Sequence, residues 1–109
     1  MQTKNIRKNK ILNDLKNLKS KYRKDGFLIL GLFGSYSRDE ATKNSDIDIL
    51  YDLDDKLFIS KYRGWDYFIR LDEIKDELEK FFDKKIDIAD KETLNNIGKK
   101  YILQDLIYV

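Results

Sequence analysis

The chain has 109 residues, 41% of them hydrophobic and 39% charged, which predicts a single domain over residues 1–109 with one modest core. It contains no cysteine and no histidine. That excludes a disulfide framework, thiolate–zinc sites and the Ser-His-Asp and Cys-His reaction classes. A metal would have to be held by oxygen, and protons moved by Asp, Glu, Lys or Tyr. The net charge of +2 is uneven: residues 1–25 carry nine Lys/Arg against two Asp/Glu, and the remainder thirteen against eighteen. A basic segment of this kind is either a solvated helix face or a nucleic-acid arm. MQTKNIRKNK shows no leader pattern, and the apolar run from Phe27 to Phe33 is too short to span a bilayer, so no membrane association and a cytoplasmic location are expected.

In chain order, residues 5–24 predict a helix, because Ile11, Leu15, Leu18 and Tyr22 recur at helical spacing. Asp25-Gly26 stops it, and FLILGLF (27–33) reads as a buried strand. Gly34-Ser35 ends that strand, 36–41 forms one helical turn, and Asn44-Ser45 turns into a second strand, DIDILYD (46–52). Its strict alternation sets Asp46, Asp48, Leu50 and Asp52 on one face, and Ile47, Ile49 and Tyr51 on the other. Residues 53–65 read as irregular. A helix follows over 66–82, with Asp66 as N-cap and Leu71, Ile74, Leu78 and Phe81 as its stripe. KKIDIA (84–89) predicts a third strand. Asp90 reads as the N-cap of a last helix with Leu94, Ile97 and Tyr101 at helical spacing, and LIYV as a short edge strand. This order predicts a small α/β domain with helices packed on one sheet.

Asp46 and Asp48 are two residues apart on a strand, which puts their Cβ atoms about 7 Å apart on one face. Carboxylates held so rigidly suit hard cations, and a pair of ions about 4 Å apart stabilises both the attacking and leaving oxygens in phosphoryl chemistry. Asp87, between Ile86 and Ile88, completes an acidic cluster if its strand neighbours the first pair. An exposed polar strand face would carry the same residues. Gly34 lets backbone amides approach an anion closely, and the Ser35 hydroxyl adds a donor, although an ordinary turn uses the same pair.

Together these residues spell G-S-x10-D-x-D, within GSYSRDEATKNSDIDILYDL. The stretch resembles the polymerase-β-like nucleotidyltransferases, and in particular their shortest branch, the minimal nucleotidyltransferases (MNT). The resemblance runs from about Phe27 to the C-terminus; the basic helix matches by position only. One departure is Asp39, where many relatives have glycine, at a turn that aspartate tolerates.

The resemblance implies a small polymerase-β-like α/β fold, with helices on a short mixed sheet. It implies that Gly34 and Ser35 bind the β/γ-phosphates of ATP and that Asp46 and Asp48 hold two Mg²⁺ ions. Asp87 would bind the catalytic metal and help deprotonate the acceptor. Arg38 would reach phosphate, or else stand as an ordinary exposed arginine. MNT proteins are typically antitoxins that transfer AMP to a tyrosine of a HEPN-domain ribonuclease toxin, which implies a hetero-oligomer with that toxin. Two alternatives are a binding-only antitoxin and a nucleotidyltransferase acting on a small molecule or RNA. Specific nucleic-acid binding is not expected.

Overall fold

The computed structural model describes the backbone of residues 3–109 and the side chains from Arg7 onward. Met1, Gln2 and the Lys4 side chain, which entered the leader and charge readings, lie outside the described residues. The elements are α1 (Thr3–Arg23), β1 (Phe27–Phe33), β2 (Ile47–Leu53), α2 (Asp55–Lys61), α3 (Trp65–Phe82), β3 (Ile86–Asp90), α4 (Asn96–Asp105) and β4 (Ile107–Tyr108). A short 3₁₀ turn, Lys91–Thr93, joins β3 to α4.

The four strands form one mixed sheet in the order β3-β2-β1-β4. β1 runs antiparallel to both β2 and β4, and β2 runs parallel to β3. A parallel pair needs a long crossover, and α2 and α3 supply it. The core lies on one face of the sheet. Phe27, Ile29 and Leu32 of β1 and Ile47, Ile49 and Tyr51 of β2 pack there against Ile11, Leu15 and Tyr22 of α1 and Ile74 and Leu78 of α3. The Phe27 and Tyr51 rings stack at 4.6 Å. Period two sends Asp48 and Asp52 to the opposite face, where they are half-buried.

Several expectations need correction. Residues 55–61 are a helix rather than irregular chain, because Asp54 caps it by accepting from the Leu57 amide and Phe58 anchors it in the core. α3 begins one residue early, with Gly64 rather than Asp66 at its N-cap. Within α3, Phe81 is exposed and Phe82 packs on the core instead. Asp90 caps the 3₁₀ turn by accepting from the Glu92 amide, and Asn95 caps α4 through the Gly98 amide. Ile97 and Tyr101 of α4 are about 70% exposed (70% and 69%), since nothing packs over them among the described residues.

The edge strand does form. A Cβ at Gly31 would strike the Ile107 carbonyl oxygen, so this glycine lets β4 close against β1. Among the described residues no helix is long and apolar enough to cross a membrane.

Candidate active site

The site lies where β1 ends and β2 and β3 begin. Strand pairing, rather than sequence proximity, assembles it. Asp48 is opposite Phe33 on β1 and in register with Asp87 on β3. Adjacent parallel strands are about 4.8 Å apart, so the two carboxyls are direct neighbours. The flanking Ile47–Ile86 and Ile49–Ile88 pairs lock that register from the apolar face. Asp46 precedes β2 by one residue; its neighbour Ile47 donates its amide to the Lys85 carbonyl at 3.0 Å, which keeps this stretch alongside β3.

The electrostatics follow from the packing. Burial, then the charges of Asp87 and Asp46, push the Asp48 carboxyl up from its ordinary 3.8 to about 6. A hydrogen bond with Asp87 acts in the same direction, and Arg38 alone opposes it. Among the described residues no three acids are drawn into a preformed cation cage; unscreened carboxylates repel one another. The donor set is all oxygen, and Asp48 bears an unfavourable charge that a dication would relieve. These residues therefore fit a hard divalent ion such as Mg²⁺.

Gly34 takes φ +78°, and a Cβ built on it would clash with Asp48 Oδ2. The glycine therefore makes room for the acid as well as freeing the backbone, a coupling that a reading of the turn by itself could not find. After Gly34 the chain winds through a compact turn over residues 35–39, where a helical turn over 36–41 is expected. Arg38 donates its amide to the Gly34 carbonyl at 3.2 Å, and Glu40 donates its amide to the Ser35 carbonyl at 2.9 Å. The buried Ser37 hydroxyl donates to the Gly34 carbonyl at 2.7 Å. Ser35 sits half-buried in this turn, while Tyr36 plunges into the core.

Arg38 lies beside the site but is engaged. Its guanidinium donates to Glu40 (Nε–Oε1 2.9 Å) and to Asp105 at the end of α4 (2.7 Å). Asp105 lies 67 residues away, and no local pattern in the sequence could have signalled the pair.

A tight glycine turn thus stands beside strand-borne acids at one end of the sheet. The family model described as "Nucleotidyltransferase domain" matches residues 8–109. The chain belongs to that nucleotidyltransferase family. It is 36% identical over 106 residues to "Putative protein adenylyltransferase MJ1379" of Methanocaldococcus jannaschii, covering 92% of this chain and 99% of that protein. It is 30% identical to "Protein adenylyltransferase MntA" of Thermococcus cleftensis, covering 90% and 95%.

Among solved structures, "Structure of putative minimal nucleotidyltransferase" superposes with a TM-score of 0.68 at 22% identity, covering 94% of this chain and 95% of that one. A toxin-antitoxin crystal structure with AMP-PNP superposes with a TM-score of 0.64 at 21% identity, covering 86% and 70%. These likenesses bear out the small polymerase-β-like α/β fold.

Proposed function

We propose that this nucleotidyltransferase is the antitoxin of a toxin–antitoxin pair, and that it transfers AMP from ATP to a tyrosine of a HEPN-domain toxin with which it forms a hetero-oligomer. The observation that carries the reading is the register of Asp48 with Asp87, set against a glycine that has no room for a side chain. The names of the similar adenylyltransferases, and of the toxin-antitoxin whose fold this chain shares, support the reaction and the kind of partner.

In this mechanism Gly34 and Ser35 offer backbone and hydroxyl donors to the β/γ-phosphates. Asp46 and Asp48 would hold Mg²⁺, two ions in all, with Asp87 on the catalytic one. Bound there, the metal supplies charge neutralisation at the phosphates. Asp87 accepts the tyrosine proton as the phenolic oxygen bonds to the α-phosphorus and the bond to pyrophosphate breaks. The chain's remaining task is positioning, which supplies much of the rate in phosphoryl transfer. AMP on the toxin adds bulk and negative charge, which would repel an RNA phosphate backbone.

The test is to treat the toxin with this protein, ATP and Mg²⁺, separate the two, and measure the toxin's mass and ribonuclease activity. The expected result is a gain of one adenylyl group on tyrosine and lasting inactivity. Unchanged mass with full recovery of activity would establish neutralisation by binding alone.

A further inference from the structure

The turn that follows Gly34 ends at Asp39, whose φ of +59° is left-handed. A residue with a Cβ disfavours that region, though aspartate tolerates it better than most. Something must therefore hold Asp39 in place. Lys8, on α1 and 31 residues away, donates Nζ to Asp39 Oδ2 at 2.9 Å. The Lys8 side chain is only 19% exposed, and the other Asp39 oxygen is buried with no hydrogen-bond partner among the described residues. The pair is thus partly withdrawn from water, and among the described residues Lys8 is the one cation paired with this carboxylate. α1 is itself anchored in the core by Ile11 and Leu15, so the lysine reaches the turn from a fixed base.

We propose that Lys8 is a positioning residue for nucleotide binding. Through Asp39 it holds the 35–39 turn in the shape that meets phosphate, and Arg38 ties the same turn to α4 through Asp105. This rests on the reading that the turn binds the triphosphate. It also gives part of the basic first helix a task within the molecule. Lys10 pairs with Asp14, and Lys19 donates to the Val109 carbonyl at 2.6 Å, so three of the helix's lysines are satisfied inside the protein.

Two variants separate positioning from simple charge. Lys8→Met removes a positive charge and Asp39→Asn a negative one, so their direct effects on a bound polyphosphate have opposite signs. Positioning predicts the same sign for both: Kd for Mg²⁺-ATP rises about three- to fivefold, with kcat nearly unchanged. Lys8→Arg keeps wild-type affinity. In the Asp39→Gly background, where the left-handed residue needs no support, Lys8→Met has no effect.

Hydrogen exchange at the amides of Arg38, Asp39 and Glu40, measured without nucleotide, accelerates in both Lys8→Met and Asp39→Asn. Tighter Mg²⁺-ATP binding by Asp39→Asn overturns the proposal. Unchanged exchange and affinity, in a wild type that binds Mg²⁺-ATP, overturns it as well. A wild type that binds no Mg²⁺-ATP overturns the phosphate reading of the turn, and this inference with it.

Discussion

Two acidic clusters lie at opposite ends of β1 and are treated in opposite ways. Before the strand, Asp25 and Glu77 surround Arg70, whose side chain is 15% exposed. Arg70 donates to Asp25 at 2.9 Å and to Glu77 at 2.9 Å, and Lys61 adds a second cation to Asp25 at 3.1 Å. Burial pushes the Asp25 carboxyl up, but hydrogen bonds from Arg70 and Lys61 outweigh it and hold the acid below its ordinary value. Glu77, helped by the Tyr22 hydroxyl and Arg70, behaves alike.

After the strand, Asp48 and Asp87 form no ion pair among the described residues. Arg38, whose charge opposes the shift, is already committed to Glu40 and Asp105, and Asp48 is driven up to about 6. The first cluster is solved within the fold and serves stability. The second is left with its charge uncompensated, as expected where function has claim on the residues.

Neutralising the uncompensated cluster breaks the contrast most sharply. Asp48→Asn should lower AMP transfer about a hundred- to a thousandfold while the fold persists, measured with labelled ATP. Wild-type transfer rates in that variant would remove Asp48 from the site.

The opposite perturbation removes the cation of the compensated cluster. Arg70→Met leaves Glu77 without its cation and Asp25 with Lys61 alone, and should cost about 2 kcal/mol in denaturant unfolding; both acids are partly exposed, so solvent screening keeps the cost below that of a fully buried pair. Transfer per folded molecule should not change.

Gly34→Ala tests how closely the turn and the acid are fitted. The positive φ alone costs an alanine about 1–2 kcal/mol, and its Cβ must displace the Asp48 carboxylate. Affinity for Mg²⁺-ATP should therefore fall more than stability, as calorimetric titration and melting would show.

The smallest effect is on stability against pH. The folded-state value of Asp48 lies above the ordinary one, so the folded protein holds that proton more tightly than the unfolded chain. Stability from this group is greatest below about pH 4 and is lost as pH rises through about 6. In metal-free buffer at neutral pH, Asp48→Asn should gain about 1 kcal/mol after allowance for solvent screening, and the pH slope should flatten. Saturating Mg²⁺ should narrow the difference between variant and wild type.

Much of this was legible in the residues. Ile47, Ile49 and Tyr51 alternate with acids, and period two dictates which side faces the core. Ile11, Leu15 and Tyr22 declare a helix face for the same reason, at a different period. α2 was hidden because seven residues with one buried anchor, Phe58, give too little periodicity to detect. Ile97 and Tyr101 do share a helix, yet both are exposed, because spacing reports a face without saying what covers it.

The sequence by itself determined the strands, the inward face of α1, the identities of Gly34, Asp46, Asp48 and Asp87, and the family to which they point, since all of these are written in short-range patterns. Only the tertiary structure decided that Asp48 and Asp87 are neighbours, that Gly34 is fitted to Asp48, and that Lys8 and Asp105 reach the same turn from two different helices. Those relations join residues well separated in the chain. They are set by strand register and packing, which local propensity does not encode.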